Sequence, residues 1–145
     1  MLIRDAQPSD LKQLSVLFDN YRQFYLKSSD IAAAESFLKE RLEKKDSHIL
    51  VADNGDLIGF TQIYPLLSSV RMKPLWLLND LFVDEAVRGQ KVGEKLMLGA
   101  GEMAKSASAC GLMLETGISN IVGQKLYEKL GYKKAINEFH YSLDF

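Results

Sequence analysis

The chain has 145 residues, 47% hydrophobic and 26% charged, and its 18 Lys plus Arg against 19 Asp plus Glu give a net charge of −1. That balance excludes a disordered chain and the basic footprint of a nucleic-acid binder, and the length suits one domain over residues 1–145 with a sizeable core. One cysteine excludes an intrachain disulfide, the start Met1-Leu-Ile-Arg-Asp-Ala6 lacks a signal peptide's apolar stretch, and no apolar run approaches the ~18 residues of a membrane span, so a cytoplasmic protein with no membrane partner is expected.

Residues 1–5 read as a short strand. Residues 8–25 carry Leu11, Leu14, Leu17, Phe18, Tyr21 and Tyr25 at helical spacing, and residues 30–45 repeat the pattern with Ile31, Ala34, Leu38 and Leu42. Residues 48–53 read as a strand, and Asn54-Gly55 is a hairpin signal. Further strands are expected over 57–68 and 75–84. A helix over about 90–109 should bury Val92, Leu96, Ala100, Met103 and Ala107, with Gly111 as its C-cap. Its Gly99 and Gly101 suggest close packing on the sheet. Residues 112–116 read as a strand, 120–130 as a helix stopped by Gly131, and 140–145 as a closing strand. The alternation predicts an α/β (α+β) fold, a mixed sheet with helices on both faces.

The most informative stretch follows the strand ending at Val83. An acidic turn leads into Arg88-Gly89-Gln90-Lys91-Val92-Gly93 and then a helix. The first turn of a helix presents free N–H groups and about +0.5 of a charge, which suits a phosphate. Gly89 and Gly93 let it approach the backbone, and Arg88 and Lys91 add charge. The glycines at 89, 93, 99 and 101 fit neither the G-x-G-x-x-G spacing of dinucleotide folds nor the G-x-x-x-x-G-K-[ST] of a P-loop.

The segment resembles motif A of the GNAT acetyltransferases, [Q/R]-x-x-G-x-[G/A], matched by Arg88, Gly89, Gln90, Val92 and Gly93. Lys91 departs from the family's usual glycine. A second segment, Thr116–Tyr132, is similar to GNAT motif B, with Asn120, Gly123, Leu126, Tyr127, Gly131 and Tyr132 in place. The resemblance covers about residues 47–145. It implies a mixed, mostly antiparallel central sheet splayed at its centre and acetyl-CoA as cosubstrate. Backbone at Leu81, Phe82 and Val83 would hold the pantetheine arm, the loop from Arg88 to Gly93 the pyrophosphate, and Asn120 and Tyr127 further parts of the cosubstrate. No metal is expected, since His48 and His140 have no ligand-like spacing and Cys110 reads as an inert small residue.

The acceptor sets the chemistry. An alkylamine of pKa ~10.4 is almost wholly ammonium at pH 7, and freeing it costs about 4.6 kcal/mol. A carboxylate near the thioester can take the proton, directly or through water. Asp80, in the strand before the cradle, is the first candidate and Glu115 the second. The family often has glutamate where this chain has Asn79, which cannot take up a proton. A bulge is common in that strand in the family, so the face of Asp80 stays open, as does a purely structural role for it. Tyr127 resembles the family's general acid. Proton transfer from a tyrosine to a thiolate is uphill by about 2 kcal/mol, so hydrogen bonding to the thiolate is its expected role. Asn120 also reads as a helix N-cap.

The motifs look most like the branch of the family that contains histone and polyamine acetyltransferases, and this implies a small basic amine acceptor and a homodimer through the C-terminal strands. Tyr21, Tyr25 and Asp80 are the expected acceptor contacts, because aromatics and carboxylates suit a cation. A lysine, peptide or amino-acid acceptor is the alternative. A non-catalytic acyl-CoA sensor is the alternative of another class, favoured by Asn79 and opposed by Tyr127.

Overall fold

In the computed structural model, which describes residues 1–145, the first unit is Met1–Glu115 and the second Thr116–Phe145. In the first unit, β1 (Leu2–Asp5), β2 (His48–Asp53), β3 (Leu57–Tyr64), β6 (Trp76–Val83) and β7 (Leu112–Met113) form one sheet in that order. Every pairing is antiparallel except β6 with β7. A short hairpin, β4 (Leu67–Ser68) with β5 (Lys73–Pro74), takes the end of what the sequence suggests as one strand over 57–68.

The two sheet faces are covered by different helices. On one, α1 (Leu11–Phe24) and α2 (Ile31–Lys44) enclose a core of Leu14, Leu17, Phe18, Leu38, Ile49, Val51, Phe60 and Phe82. Burying such a set removes most of its apolar surface from water, at about 25 cal/mol per Å2. On the other face, α3 (Val92–Ser106) lies close enough that a Cβ on Gly99 would stand 3.1 Å from Ile3 and 3.3 Å from Leu50. That explains Gly99. Gly101 has nothing within 4 Å of a built Cβ, so close packing does not explain it. The buried stripe of α3 is Val92, Leu96, Met97, Ala100 and Ala104. It drifts from the expected Met103 and Ala107, and the helix ends before Ala107. Its left-handed terminator is Ser108, φ 59°, not Gly111.

Two irregularities matter for the site. In β6, Asp80 pairs with Gln62 while Leu78 pairs with Ile63, so Asn79 is an extra residue, a β-bulge. Across it Leu78 and Asp80 take opposite faces, and Asp80 joins Phe82 on the face of α1. The parallel β6–β7 ladder also holds only Trp76–Leu112 and Leu77–Met113. β6 then runs on to Val83 with no strand partner on that side. The expected strand over 112–116 is thus two residues long, and the sheet splays from Leu78 onward.

The second unit contains α4 (Ile121–Lys129). Gly131, φ 91°, closes it: its N–H bonds Glu128 O at 3.0 Å and that of Tyr132 bonds Tyr127 O at 3.0 Å, the paired bonds of a Schellman cap. The closing strand expected over 140–145 is not formed. Its alternating apolar residues find no strand partner, and Phe139, Tyr141, Leu143 and Phe145 are exposed.

Candidate active site

Asp80 is 5% exposed, on the sheet face that carries α1. Its Oδ2 accepts from Gln62 Nε2 at 2.9 Å and its Oδ1 from Asn79 Nδ2 at 2.9 Å. Gln62, fully buried, accepts at Oε1 from Ser47 Oγ at 2.9 Å. The Asp80 main-chain carbonyl takes the Thr61 hydroxyl at 2.8 Å. Tyr21 stands over this group. Burial first, then the charge of Asp80 and a hydrogen bond to it, hold its hydroxyl above the usual phenol range. Tyr64 is pushed up to about 12, by burial and then by the Asp80 charge. The donors to Asp80 are neutral, and no ion pair recorded in the first unit includes it. A buried carboxylate without a cation is costly, and this one is held by amides and a phenol instead.

Aromatic rings wall the same region. The Tyr21 ring meets Phe60 at 5.8 Å, Phe82 at 6.3 Å and Tyr25 at 5.1 Å, all near edge-to-face. Tyr25 is half exposed at the end of α1. The α1–α2 connection is pinned by buried Asp19, which accepts from Ser29 Oγ at 2.7 Å and the Asp30 N–H at 2.7 Å. The structure therefore gathers Asp80, Tyr21 and Tyr25. Gln62 and Ser47 are the members that motif reading passes over. The signal available was a glutamine in the largely apolar strand Leu57–Tyr64.

The cradle forms at the end of β6. Gly89 is left-handed at φ 81°, and so is Lys91 at φ 63°, the N-cap residue of α3. That conformation explains why glycine suits position 91. The Lys91 side chain makes no cap bond to the first turn of α3, and a helix start of this kind suits an anion. Nothing lies within 4 Å of a Cβ built on Gly89, so the loop leaves room there for an anion. Arg88 is directed back onto the chain: Nε donates to Val83 O at 3.1 Å, Nη1 reaches Glu85 at 3.4 Å, and the guanidinium lies 5.7 Å from the Phe82 ring centre. The side chains of Val92 and Phe82 are core, so only their main chain can serve a cosubstrate. Leu81 and Val83 are half-buried, on the splayed stretch of β6.

Glu115 is exposed, two residues past the end of β7. In the second unit, Asn120 caps α4: Oδ1 accepts the Gly123 N–H at 3.1 Å and Nδ2 donates to Thr116 Oγ1 at 3.0 Å. A Cβ on Gly123 would lie 2.5 Å from Asn120 Nδ2, so the motif glycine makes room for the cap. Tyr127 is half-buried, 6.3 Å from the Tyr132 ring. Burial, then Tyr127, raise the pKa of the Tyr132 hydroxyl. No group of three or more His, Cys, Asp or Glu gathers to hold a metal, and no helix is long and apolar enough to cross a membrane.

A splayed parallel strand pair, with a left-handed loop and a helix start at the end of one of its strands, is the arrangement of an acetyltransferase fold. The chain belongs to the acetyltransferase (GNAT) family, whose pattern it matches over residues 14–132, and it is an N-acetyltransferase. It is 44% identical over 145 residues to YhfO of Bacillus subtilis (strain 168), described as an uncharacterized N-acetyltransferase, covering 99% of this chain and 97% of that one. A solved structure described as a probable acetyltransferase superposes with a TM-score of 0.93 at 37% identity, over 100% of this chain and 98% of that one. The aminoalkylphosphonate N-acetyltransferase of Salmonella typhimurium (strain LT2) is 26% identical over 104 residues, 72% of this chain and 68% of that one.

Proposed function

We propose that the chain transfers an acetyl group from acetyl-CoA to the primary amine of a small basic acceptor, a diamine or polyamine, by direct attack in a ternary complex. The observation that carries this is Asp80: a buried carboxylate with neutral donors, walled by Tyr21 and Tyr25. An incoming ammonium supplies the missing cation, and the tyrosine faces favour it by about 0.5–2 kcal/mol. The carboxylate then takes the proton that the ammonium must lose before its nitrogen can attack. Acetyl-CoA supplies the activated thioester. The main chain of Leu81, Phe82 and Val83 would hold its pantetheine arm. Arg88, Gly89, Gln90, Lys91, Val92 and Gly93 would hold its pyrophosphate, mainly through N–H groups.

Tyr127 and Asn120 enter this reading by motif, Tyr127 as hydrogen-bond donor to the departing thiolate. Glu115 is the second candidate base. Residues 1–145 act as one domain, supported by a family match that runs through both units. The reading includes a cytoplasmic location and a homodimer. Support for a second copy comes from Phe139, Tyr141, Leu143 and Phe145, exposed apolar residues at strand spacing. A small acceptor is also consistent with the relative named for an aminoalkylphosphonate.

Thiol release from acetyl-CoA, measured with diamines, polyamines, lysine peptides, aminoalkylphosphonates and amino acids, tests the reading. Turnover highest with a diamine or polyamine supports it. Turnover confined to peptides or amino acids overturns the acceptor class. CoA binding without turnover on any amine points to the sensor.

A further inference from the structure

The bulge at Asn79 and the polar side chain of Gln62 are both unexpected in a buried sheet. A bulge interrupts the ladder, and a buried amide must have each of its groups met. Here both irregularities end on the same carboxylate. Gln62 Nε2 donates to Asp80 Oδ2 at 2.9 Å, and Asn79 Nδ2 donates to Oδ1 at 2.9 Å. The amide of Gln62 cannot be turned over without loss. The Asp80 carboxylate can only accept, which fixes the N–H group of Gln62 on the Asp80 side and leaves Oε1 to accept from Ser47 Oγ at 2.9 Å.

Ser47 lies just before β2, Gln62 in β3 and Asn79–Asp80 in β6, so the chain Ser47–Gln62–Asp80 ties three consecutive sheet segments together. A structural glutamine would need only to satisfy itself. This one has its oxygen met by a hydroxyl and its N–H group aimed at the carboxylate proposed to meet the substrate.

We infer that Ser47, Gln62 and Asn79 are positioning residues that hold the Asp80 carboxylate in one rotamer, with both oxygens oriented to receive the ammonium of the acceptor. The inference rests on the reading of Asp80 as the acceptor's proton-accepting group. Asn79 thereby supports the neighbouring carboxylate. A hydrogen bond to a charged group is worth enough that losing the Gln62 donor should cost about 10- to 100-fold in turnover of an ammonium substrate.

The test compares two acceptors at pH 7. One is a diamine, ammonium at that pH. The other is a weakly basic aromatic amine, already neutral, which needs no deprotonation before attack and passes the proton it loses afterwards to the departing thiolate. The variants are Gln62→Leu, Ser47→Ala and Ser47→Thr, and the first is also made in the Asp80→Asn background. The expected result is a loss in kcat/KM of about 10-fold or more for Gln62→Leu with the diamine, and within about 2-fold with the neutral amine. Ser47→Ala should show the same selectivity more weakly, and Ser47→Thr should restore the parent values. Gln62→Leu should add nothing to Asp80→Asn.

Equal losses on both acceptors, or additive losses with Asp80→Asn, would overturn the positioning role. If Asp80→Asn itself leaves the diamine reaction intact, the reading of Asp80 fails, and the positioning role with it. If Gln62→Leu does not fold, Ser47→Ala against Ser47→Thr decides by the same ratio.

Discussion

Gly59 in β3 is a sharp test of how the cradle is positioned. It pairs with Val83 at the end of β6. A Cβ placed there would sit 2.9 Å from the Phe82 carbonyl oxygen, 3.3 Å from Leu96 Cδ1 and 3.4 Å from Val92 Cγ1. The two side chains can yield by a few tenths of an ångström. The Phe82 carbonyl cannot, because it belongs to the sheet backbone. Gly59→Ala must therefore push α3 outward or bend β6 just before the loop that leads to Arg88. Overpacking of this kind costs about 1–3 kcal/mol. For a chain of this size that lowers Tm by roughly 3–12 °C. Since α3 starts at Val92, a displaced helix also moves its N–H groups away from a diphosphate, and CoA affinity should fall by about 10-fold. Urea unfolding gives the stability and calorimetric titration with CoA gives the affinity. Parent-like values for both would show that β3 and α3 do not meet as described.

The other expectations are local. Lys91 is left-handed, so Lys91→Gly should be at least as stable as the parent and bind CoA within about 3-fold, while Lys91→Val should lose about 1–2 kcal/mol; equal melting of the two variants would contradict the strain. Gly123→Ala should displace the Asn120 cap, worth about 1 kcal/mol. In an Asn120→Ala background the same change should stabilise α4, since alanine then costs no cap, and a double-mutant cycle without that change of sign would refute the contact. Hydrogen bonds, first from Ser29, hold the Asp19 carboxyl below its usual range despite burial. Its folded pKa lies below the unfolded one, so its contribution is complete above about pH 4 and is lost as pH falls through the folded value. Asp19→Asn should flatten the fall of urea stability with acid, and an unchanged slope would show that Asp19 does not carry it.

Much of this was legible in the chain. The 3.6-residue spacing of Leu14, Leu17 and Phe18 gave α1 its buried face, and Arg88 to Gly93 marked the cradle because glycine spacing reflects backbone geometry directly. Tyr21 and Asp80, both expected to meet the acceptor, lie within interaction distance of each other. What stayed hidden depended on pairing between distant segments. A bulge at Asn79 is visible only once Gln62 and Ile63 are set opposite β6, and that register decides which face Asp80 takes. The splay has the same origin: Leu112–Thr116 has the composition of a strand, but only Leu112 and Met113 stay within reach of β6. The role of Gln62 is not legible in the sequence, because a polar residue in a strand announces burial only after a helix covers it. Residues 140–145 show the reverse failure, a strand pattern with no strand beside it.

The most direct test of the central claim is the turnover of a diamine by Asp80→Asn beside the parent, at saturating acetyl-CoA, with CoA affinity measured on both. Asparagine keeps the shape but neither carries the charge nor takes up the proton. The account predicts a fall in turnover of about 100-fold or more, the usual scale for loss of a general base, with CoA affinity unchanged. A variant that turns over the diamine at the parent's rate would show that Asp80 is a structural carboxylate and that the amine loses its proton elsewhere.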